Sequence, residues 1–337
     1  MLNISFNFIN KIKRNLFPFF KDKELKFVFN KIQEGSSADT VTARFVGGCV
    51  RKYLSNDKID DIDIATTLSA KEIKEKFKNT KFNVVETGIK HGTVTLVTDK
   101  FNLEITTLRK DVETDGRHAE VEYIDDWQLD SERRDFTINA IYLDINGKIF
   151  DPQMGTVDLK NNNVKFIGDP QKRIEEDYLR IIRFIRFSIE FESEIEKSTI
   201  EAIKLNLDGI KKISKERTLL ELFKILSLNN FSLINKKEQL KEIFLLIFPE
   251  FKYLERVYKL NKLPSKIMLD KETLLAILLI DDKKNHEYFL HKYKVSNDLR
   301  EKLNLFEDNF QNFIKNKKFF QKDLKKNIYF FGKKHLI

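Results

Sequence analysis

Residues 41–66 read VTARFVGGCVRKYLSNDKIDDIDIAT, and this stretch decides how the rest of the chain is interpreted. The segment Val41–Val46 predicts a short strand, two glycines follow it, and a helix is predicted to start at once. Glycines let backbone N–H groups approach a phosphate closely, and the N-terminus of a helix adds a favourable dipole. Arg51, one turn into that helix, is placed to pair with a phosphate oxygen. The turn at Gly47 and Gly48 is therefore a candidate phosphate site.

A second strand is predicted over Ile62–Ala65, and two carboxylates stand at its start. Asp61 and Asp63 are two residues apart, so both side chains face the same side of the strand. Two such carboxylates are hard oxygen ligands for Mg2+, which usually takes further oxygens from substrate phosphates. A glycine pair alone is more often a plain turn, and an Asp-x-Asp alone is more often a solvated strand end. Together, and in this order, they favour metal-assisted displacement at the phosphorus of a nucleotide.

Around this stretch, residues 40–151 carry a mixture of strand and helix signals. Two alternating segments, Thr93–Thr98 and Asn102–Thr107, are separated by a two-residue turn and predict a hairpin. Ser69 followed by Glu72 is the pattern of a capping box, so a helix is expected to start there. These signals predict an α+β domain with a small, mainly antiparallel sheet.

After Asp151 the strand signals vanish and helical periodicity takes over. Six segments carry it, at residues 175–191, 198–205, 214–228, 237–248, 271–280 and 297–313. We therefore expect an N-terminal helical extension, an α+β head, a first helical part and a helical remainder. Their predicted bounds are 1–37, 38–150, 151–228 and 229–337.

Composition excludes several classes of protein. The chain has 337 residues, of which 61 are basic and 52 acidic, and its formal net charge is +9. A single cysteine, Cys49, excludes a disulfide framework, and five histidines without paired spacing argue against a zinc site. No apolar run is long enough to cross a bilayer, so we expect no membrane partner. The positive charge suits a polyanionic partner such as RNA, although codon bias towards Lys, Ile and Asn produces the same charge.

The first twenty residues are apolar and basic but lack the continuous apolar core of a secretory signal. Two interpretations stay open, an N-terminal helix that packs against the next part of the chain and an organelle transit peptide. We expect a cytoplasmic protein, with an organelle as the alternative.

Five segments, in this order along the chain, resemble the motifs of the bacterial-type CCA-adding tRNA nucleotidyltransferases and poly(A) polymerases, within the DNA polymerase beta nucleotidyltransferase superfamily. The segments are Gly47-Gly48-x-Val50-Arg51 with Asp61-x-Asp63-x-Ala65-Thr66, then Arg133-Arg134-Asp135-Phe136-Thr137-Ile138-Asn139-Ala140, then Asp151-Pro152 through Gly155 with Asp158-Leu159, then Glu176-Asp177-x-x-Arg180-x-x-Arg183-x-x-Arg186-Phe187, and finally Ser214-x-Glu216-Arg217-x-x-x-Glu221. The resemblance covers about residues 44–226.

This resemblance implies an α+β nucleotidyltransferase head followed by an all-α neck, body and tail. It implies Mg2+-dependent addition of C, C and A to the tRNA 3′ end from CTP and ATP, without a nucleic-acid template and with release of pyrophosphate. A poly(A) polymerase and an enzyme that adds only CC or only A stay open as alternatives. A catalytically inactive RNA-binding module is a more distant one, and the intact pair Asp61 and Asp63 counts against it.

The resemblance also implies roles for individual residues. Asp61 and Asp63 would hold the metal, and Glu104 would complete the catalytic set by steering the attacking hydroxyl, unless it is only an exposed strand residue. Asp135 and Asn139 would contact the ribose, or Asn139 would only brace its turn. The residues implied to bind the nucleotide are Gly47, Gly48, Arg51, Arg134, Asp177, Arg180, Arg183 and Arg186.

The choice of base depends on hydrogen-bond polarity. Asp177, Arg180 and Arg183 are spaced by three and are expected on one face of a helix over 175–191. Asp177 can accept from the exocyclic amine of cytosine or adenine while Arg180 donates to the neighbouring ring nitrogen. Guanine and uracil present the reverse polarity, at a cost of about 1–3 kcal/mol per unpaired group. The pair would select C and A together, with Arg183 and Arg186 towards the triphosphate.

Two further segments have predicted roles. Residues 109–122 are polar, contain a glycine and are expected to form a mobile loop, which resembles the loop that complete CCA synthesis needs. Over 310–337 lysines are interleaved with aromatic residues, which suits either RNA contacts or an amphipathic last helix. Lys52 stands where the family usually has Asp, which affects a brace of the first helix rather than the metal site. His91 is expected to be structural.

Overall fold

The computed structural model of the chain describes residues 18–37, 39–88, 92–114, 119–260, 269–281 and 283–315. These residues fall into two compact units, and the boundary between them lies between Asp177 and Tyr178. The first unit mixes strands and helices, whereas the described part of the second contains helices only, which confirms the predicted fold class. The boundary lies inside the predicted part 151–228, so the division into four parts stays a prediction.

The first unit alternates helices with short strands. In chain order its elements are α1 (Lys23–Gln33), β1 (Ala43–Val46), α2 (Gly48–Ser55), β2 (Ile62–Thr66), α3 (Ala70–Phe77), β3 (Asn83–Gly88), β4 (Thr93–Val97), β5 (Asn102–Thr107), β6 (Arg109–Thr114), β7 (Ala119–Tyr123), α4 (Trp127–Glu132), β8 (Tyr142–Leu143), β9 (Ile149–Phe150), α5 (Gly155–Lys160) and α6 (Pro170–Glu176). Short 3-10 turns stand at Phe19–Lys21 and Thr137–Asn139.

Seven strands form one sheet in the order β3-β4-β5-β2-β1-β8-β9. Every neighbouring pair in it is antiparallel except β2 with β5, which confirms the mainly antiparallel sheet. Along β2, Ile62 and Ile64 are buried, so the residues between them face the other side of the sheet. The parallel pair sets Asp63 opposite Glu104 in register, and this places two acidic side chains on neighbouring strands.

Local sequence signals account for several boundaries in this unit. Ser69 accepts a hydrogen bond from the Glu72 backbone N–H, and the Glu72 side chain accepts from the Ser69 backbone N–H, so the predicted capping box starts α3. The predicted hairpin forms between β4 and β5, paired from Thr93 opposite Thr106 to Val97 opposite Asn102. Asp22 caps α1 by accepting from the backbone N–H of Glu24. Residues 1–17, on which the N-terminal interpretations depend, lie outside the described part of the chain.

The prediction of a loop over 109–122 is wrong for the residues described. Strands β6 and β7 form a separate two-stranded antiparallel hairpin, with Arg109 opposite Tyr123. Lys110 and Glu122 form a cross-strand ion pair of 2.9 Å. Alternating charged and β-branched residues favour a paired ribbon, and opposite charges across it add support, although each residue taken singly is polar enough for a loop. Residues 115–118, at its tip, lie outside the described residues.

The second unit is a helical assembly. Its helices are α7 (Leu179–Glu190), α8 (Lys197–Leu205), α9 (Lys215–Leu226), α10 (Glu238–Ile247), α11 (Glu255–Leu260), α12 (Lys271–Leu279), α13 (Asn285–Tyr293) and α14 (Asn297–Lys315), with 3-10 turns at Leu207–Lys212 and Phe231–Lys236. Helix α9 packs against α7, α12 and α13, and α12 also packs against α14. Among the described helices, none is both long and apolar enough to span a bilayer.

Aromatic side chains fill the centre of the second unit. Six of them form a chain of ring contacts in which Phe244 and Phe248 lie 5.0 Å apart and Phe251 and Phe289 lie 6.1 Å apart between ring centroids. The members are Phe231, Phe244, Phe248, Phe251, Phe289 and Tyr293, all buried. Burying each large ring contributes about 1.5–3 kcal/mol, so this cluster joins α10 to α13.

Candidate functional site

The turn at Gly47 places the start of α2 next to a carboxylate. Gly47 has a φ of +70°, a conformation that strains residues with a side chain, so the glycine is needed for the backbone to turn directly from β1 into α2. A Cβ at Gly47 would lie 3.6 Å from Asp63 Oδ2 and 3.9 Å from Arg134 Nη1. The first turn of a helix, a carboxylate and a guanidinium therefore meet at one glycine.

Three acidic residues come together where β2 pairs with β5. Asp61 and Glu104 are exposed and Asp63 is half-buried, and all three belong to the paired strand segment or its start. Burial, with the negative charges of Glu104 and Asp61, raises the pKa of Asp63 to about 6, against the opposing charges of Arg134 and Arg51. Crowded carboxylates of this kind are stabilised by a cation that shares their charge.

The donor set suits a hard divalent cation. Among the described residues, no group of three or more His, Cys, Asp or Glu side chains could hold a metal ion by itself. Asp61, just before β2, and Asp63, within it, nevertheless supply two carboxylates close enough for their charges to interact. Mg2+ in particular is commonly held by one or two carboxylates and completed by water and substrate phosphates. The residues present therefore fit a metal that is bound together with a phosphorylated substrate.

The second motif contributes Arg134 through a buried network. Arg134 donates from Nη2 to Asp130 Oδ2 over 3.1 Å and from Nε to the Tyr142 hydroxyl over 3.1 Å. Arg133 donates to Asp130 Oδ1 over 2.8 Å. Burial alone would raise the pKa of Asp130, but the positive charges of Arg134 and Arg133 and the Tyr142 hydrogen bond lower it to about 2. Asp130 therefore carries a full negative charge at neutral pH.

Arg51 is held within the first unit rather than pointing freely to solvent. It is buried and its Nη1 donates to Asn139 Oδ1, while Asn139 Nδ2 donates to Asp135 Oδ1 over 2.9 Å. This chain of contacts ties α2 to the 3-10 turn in the second motif, which fits the bracing alternative for Asn139. Contacts of Arg51, Asp135 or Asn139 with a nucleotide stay predictions. Lys52, the departure in the first motif, pairs with Asp60 at the surface over 2.9 Å.

The third motif packs against the second. A Cβ on Gly155 would lie 2.1 Å from the Thr137 carbonyl oxygen, so only glycine lets α5 approach this turn. The Asp151 carboxylate caps α5 by accepting from the backbone N–H groups of Gly155 and Thr156, each over 2.8 Å. Asp158 accepts from the Thr137 hydroxyl over 2.7 Å. The motif is thus a rigid support of the second motif within the first unit.

The expected single helix over 175–191 is wrong. Helix α6 ends at Glu176, and Asp177 follows in an extended conformation with φ −154° and ψ 104°, before α7 starts at Leu179. Aspartate competes with helical hydrogen bonding through its short side chain, so a break at this position is inexpensive. Asp177 and Arg180 do not share a helix face and belong to different units. Arg180 and Arg183 do lie on one helix, α7.

In the second unit, the buried Glu221 interacts with two arginines of α7. Glu221 on α9 accepts from Arg186 Nε over 2.8 Å and from Lys224 Nζ over 2.8 Å, and Arg183 Nη1 lies 3.7 Å from it. Arg186 also stacks on the Phe187 ring at 3.9 Å. The contacts described for Arg186 are therefore structural, and nucleotide binding by Arg183 and Arg186 stays a prediction.

Sequence reasoning missed Asp130 and Tyr142, which are central to the site. Asp130 precedes Arg133 by three residues and Arg134 by four, the spacing at which helical side chains meet, so this signal was present in the sequence. Tyr142 had no such signal, because it lies on β8, twelve residues after Asp130, and meets it only in the folded structure. His91 and residues 316–337, which hold most of the interleaved lysines, lie outside the described part.

Comparison with known proteins identifies both units. Residues 43–165 match the family model of the poly(A) polymerase head domain, and residues 194–254 match the model of a probable RNA- and SrmB-binding site of polymerase A. The mitochondrial CCA tRNA nucleotidyltransferase 1 of Mus musculus is 41% identical over 236 residues, which cover 67% of this chain and 54% of that protein. The chain thus spans about half the length of this relative.

Bacterial relatives extend the match. The CCA-adding enzyme of Staphylococcus haemolyticus is 38% identical over 269 residues, covering 78% of this chain and 64% of that enzyme. Among solved structures, the Bacillus stearothermophilus CCA-adding enzyme in complex with CTP matches with a TM-score of 0.65 and 26% identity, covering 86% of this chain and 71% of that chain. Nucleotidyltransferases of this kind generally use divalent metal ions.

Proposed function

The chain belongs to the family of CCA-adding enzymes and poly(A) polymerases, and from this premise we propose that it adds C, C and A to the 3′ end of tRNA. The substrates are CTP and ATP, pyrophosphate is released, and no nucleic-acid template takes part. The observation that carries this proposal is the meeting of Asp63, Arg134 and the first turn of α2 at Gly47. Nucleotidyl transfer needs a phosphate that is held between a helix N-terminus and a guanidinium, and it needs carboxylates suited to a metal next to that phosphate.

In the proposed reaction, the 3′ hydroxyl of the tRNA loses its proton to solvent and its oxygen forms a bond to the α-phosphorus, while the bond from that phosphorus to the bridging oxygen of pyrophosphate breaks. Asp61 and Asp63 would hold Mg2+, which supplies charge neutralisation at the α-phosphate and lowers the pKa of the attacking hydroxyl. Glu104, opposite Asp63 in the sheet, would orient that hydroxyl. Most of the rate enhancement comes from positioning and charge stabilisation.

The triphosphate is held by groups of the first unit. Backbone N–H groups at Gly48 and the α2 dipole favour an anion at the turn. Arg134 adds a fixed positive charge there, because its other nitrogens are committed to Asp130 and Tyr142. Arg51 lies one turn further along α2 and contributes positive charge to the same end of the sheet. Several fixed donors of this kind bind a triphosphate without rearranging.

The base is chosen, in this proposal, by Asp177 and Arg180. The family membership and the hydrogen-bond polarity of C and A support the assignment, because one acceptor and one donor match both bases. Asp177 lies in the extended link between α6 and α7, with φ −154° and ψ 104°.

Replacing Asp177 by Ala is expected to slow the use of CTP and ATP while eroding the rejection of UTP and GTP. Removing the acceptor for the exocyclic amine costs about 1–3 kcal/mol per lost contact, which is about 5- to 150-fold in kcat/KM. The measurement is kcat/KM for all four nucleotides on a trimmed tRNA. Glu175→Ala, an exposed neighbour in α6, is the matched control and should keep the wild-type ratios. An unchanged ratio of CTP to UTP use in Asp177→Ala would show that the base is read elsewhere.

The final A is proposed to need the β6–β7 hairpin, so the presence of this hairpin supports complete CCA synthesis over addition of CC alone. Deleting residues 113–118 is expected to leave CC addition intact and to slow the final A by more than about tenfold, because the site must be remodelled when the base changes. End-sequencing of the products separates the two steps, and CC addition by the same variant is the internal control. If the variant completes CCA at the wild-type rate, the hairpin is only a connector.

The partner is tRNA, and we propose that the helical unit and the lysine-rich C-terminal segment contact its backbone. The match of residues 194–254 to an RNA-binding family model supports this. We place the protein in the cytoplasm, with an organelle as the alternative that the mitochondrial relative supports. A poly(A) polymerase, an enzyme restricted to CC or A, and an inactive RNA-binding module remain the alternatives. Incubation with a tRNA lacking its 3′ end, each NTP alone or mixed, and sequencing of the product ends distinguishes all of them.

A further inference from the structure

A single buried carboxylate organises the arginine side of the site. Asp130 is completely buried on α4, and both of its oxygens are saturated with donors. Oδ1 accepts from Arg133 over 2.8 Å and from the Arg109 backbone N–H over 3.3 Å. Oδ2 accepts from the Tyr142 hydroxyl over 2.7 Å and from Arg134 over 3.1 Å. Four groups from three chain segments therefore converge on one side chain.

This network determines the orientation of Arg134. Its Nη2 is committed to Asp130, and its Nε is committed to the Tyr142 hydroxyl, which in turn donates to Asp130. With two edges of the planar guanidinium held, Nη1 is directed to the Gly47 side, 3.9 Å from the position of a Cβ on that glycine. The rigid fork of an arginine transmits such constraints well, because its donors have fixed relative directions.

We propose that Asp130 is a positioning residue, which acts through Arg134 to aim one guanidinium nitrogen at the triphosphate of the bound nucleotide. The inference rests on the proposed function and extends it, since Asp130 itself touches no substrate. A negative charge is needed at this position because two arginines, Arg133 and Arg134, lie side by side and would otherwise repel each other in a buried setting.

The same carboxylate also anchors the hairpin. Arg109 is the first residue of β6, and its backbone N–H donates to Asp130 Oδ1. The root of the hairpin and the guanidinium of Arg134 are thus fixed by opposite oxygens of one side chain. A substitution that breaks the contacts of Asp130 therefore weakens nucleotide binding through Arg134. It also slows the addition of the final A, because the root of the hairpin is no longer fixed.

The test compares Asp130→Asn with Asp126→Asn. Asp126 is the N-cap of the same helix, α4, and accepts from the backbone N–H groups of Gln128 and Leu129. Asn is an equally good cap, so Asp126→Asn is the matched control. The Kd of CTP and ATP should rise by about 10- to 100-fold in Asp130→Asn, the range for a lost charged hydrogen bond, and should not change in Asp126→Asn. Tyr142→Phe keeps the carboxylate, removes one tether of Arg134 and should weaken binding by about 3- to 10-fold.

A double-mutant cycle distinguishes positioning from general support of the fold. If Asp130 acts through Arg134, Asp130→Asn added to Arg134→Ala should weaken CTP binding no further than Arg134→Ala alone. Additive losses would overturn the proposal, as would wild-type Kd values in both Asp130→Asn and Tyr142→Phe. If Asp130→Asn fails to fold, Tyr142→Phe and its cycle with Arg134→Ala decide the question in the same way. A wild-type chain that binds no nucleotide would instead overturn the proposed function and this role with it.

Discussion

Replacing Asp63 by Asn is expected to lower the rate of nucleotide addition by about 1,000-fold or more. The carboxylate would be one of only two protein ligands of the metal, so its loss removes several kcal/mol of transition-state stabilisation, and each 1.36 kcal/mol is a factor of ten. Asp61→Asn should have an effect of the same order. Single-turnover addition of one C to a trimmed tRNA at saturating CTP measures the chemical step directly.

The same substitution should not destabilise the fold. Burial and the charges of Glu104 and Asp61 raise the pKa of Asp63 to about 6 from its ordinary value of 3.8. A raised pKa means that the folded state holds its proton more tightly than the unfolded state, so the charged carboxylate costs stability as the pH rises from 3.8 through 6. At pH 7 the neutral Asn is therefore expected to match or exceed the wild-type Tm. A large loss of activity with an unchanged or raised Tm is the signature of a residue kept for function.

Asp60→Asn is the control for this prediction. Asp60 lies in the same stretch, carries the same side chain and pairs with Lys52 at the surface, where such pairs contribute little. Its rate should stay near that of the wild type. Near-normal turnover in a folded Asp63→Asn variant would contradict the assignment of Asp63 as a metal ligand, independently of the roles assigned to the other residues.

Replacing Glu221 by Ala is expected to destabilise the second unit by about 3 kcal/mol, because it leaves a buried charge without its partner. Glu221 is 3% exposed and Arg186 is 9% exposed, and their 2.8 Å hydrogen bond joins α9 to α7. Among the described residues, Arg186 would then keep a longer contact of 3.5 Å to Glu190 and its stacking on Phe187. Urea denaturation, followed by a probe in the helical unit, measures the loss.

Glu190→Ala provides the comparison, because Glu190 is the more exposed partner of the same arginine. This substitution should lower the free energy of unfolding by less than about 1 kcal/mol. The effect of Glu221 also depends on pH. Burial opposes ionisation, but Arg186 and Arg183 lower the pKa of Glu221 below its ordinary value of 4.5. Its contribution is therefore complete above pH 4.5 and is lost as the pH falls through the lowered pKa of the folded state. Equal losses of stability in the two variants at pH 7 would contradict the assignment of Glu221 as the central partner.

Some features of this protein are determined by its sequence alone. The glycine pair at the start of α2, the spacing of Asp61 and Asp63, and the capping box of α3 are all local, since each depends on residues fewer than five apart. Backbone sterics and the two-residue period of a strand determine such features before any tertiary contact forms. The change from mixed to purely helical periodicity after Asp151 likewise predicted an α+β head and a helical remainder.

Other features were decided only by tertiary structure. The polar segment 109–122 is a hairpin because β6 and β7 pair with each other, and the helix expected over 175–191 is interrupted at Asp177, where the chain passes from one unit to the other. The buried charges depend on tertiary contacts even more. Tyr142 on β8 donates to Asp130 on α4, and Glu221 on α9 accepts from Arg186 on α7. A charged side chain can be buried only where partners from distant segments satisfy it, and local periodicity contains no information about which distant segments meet.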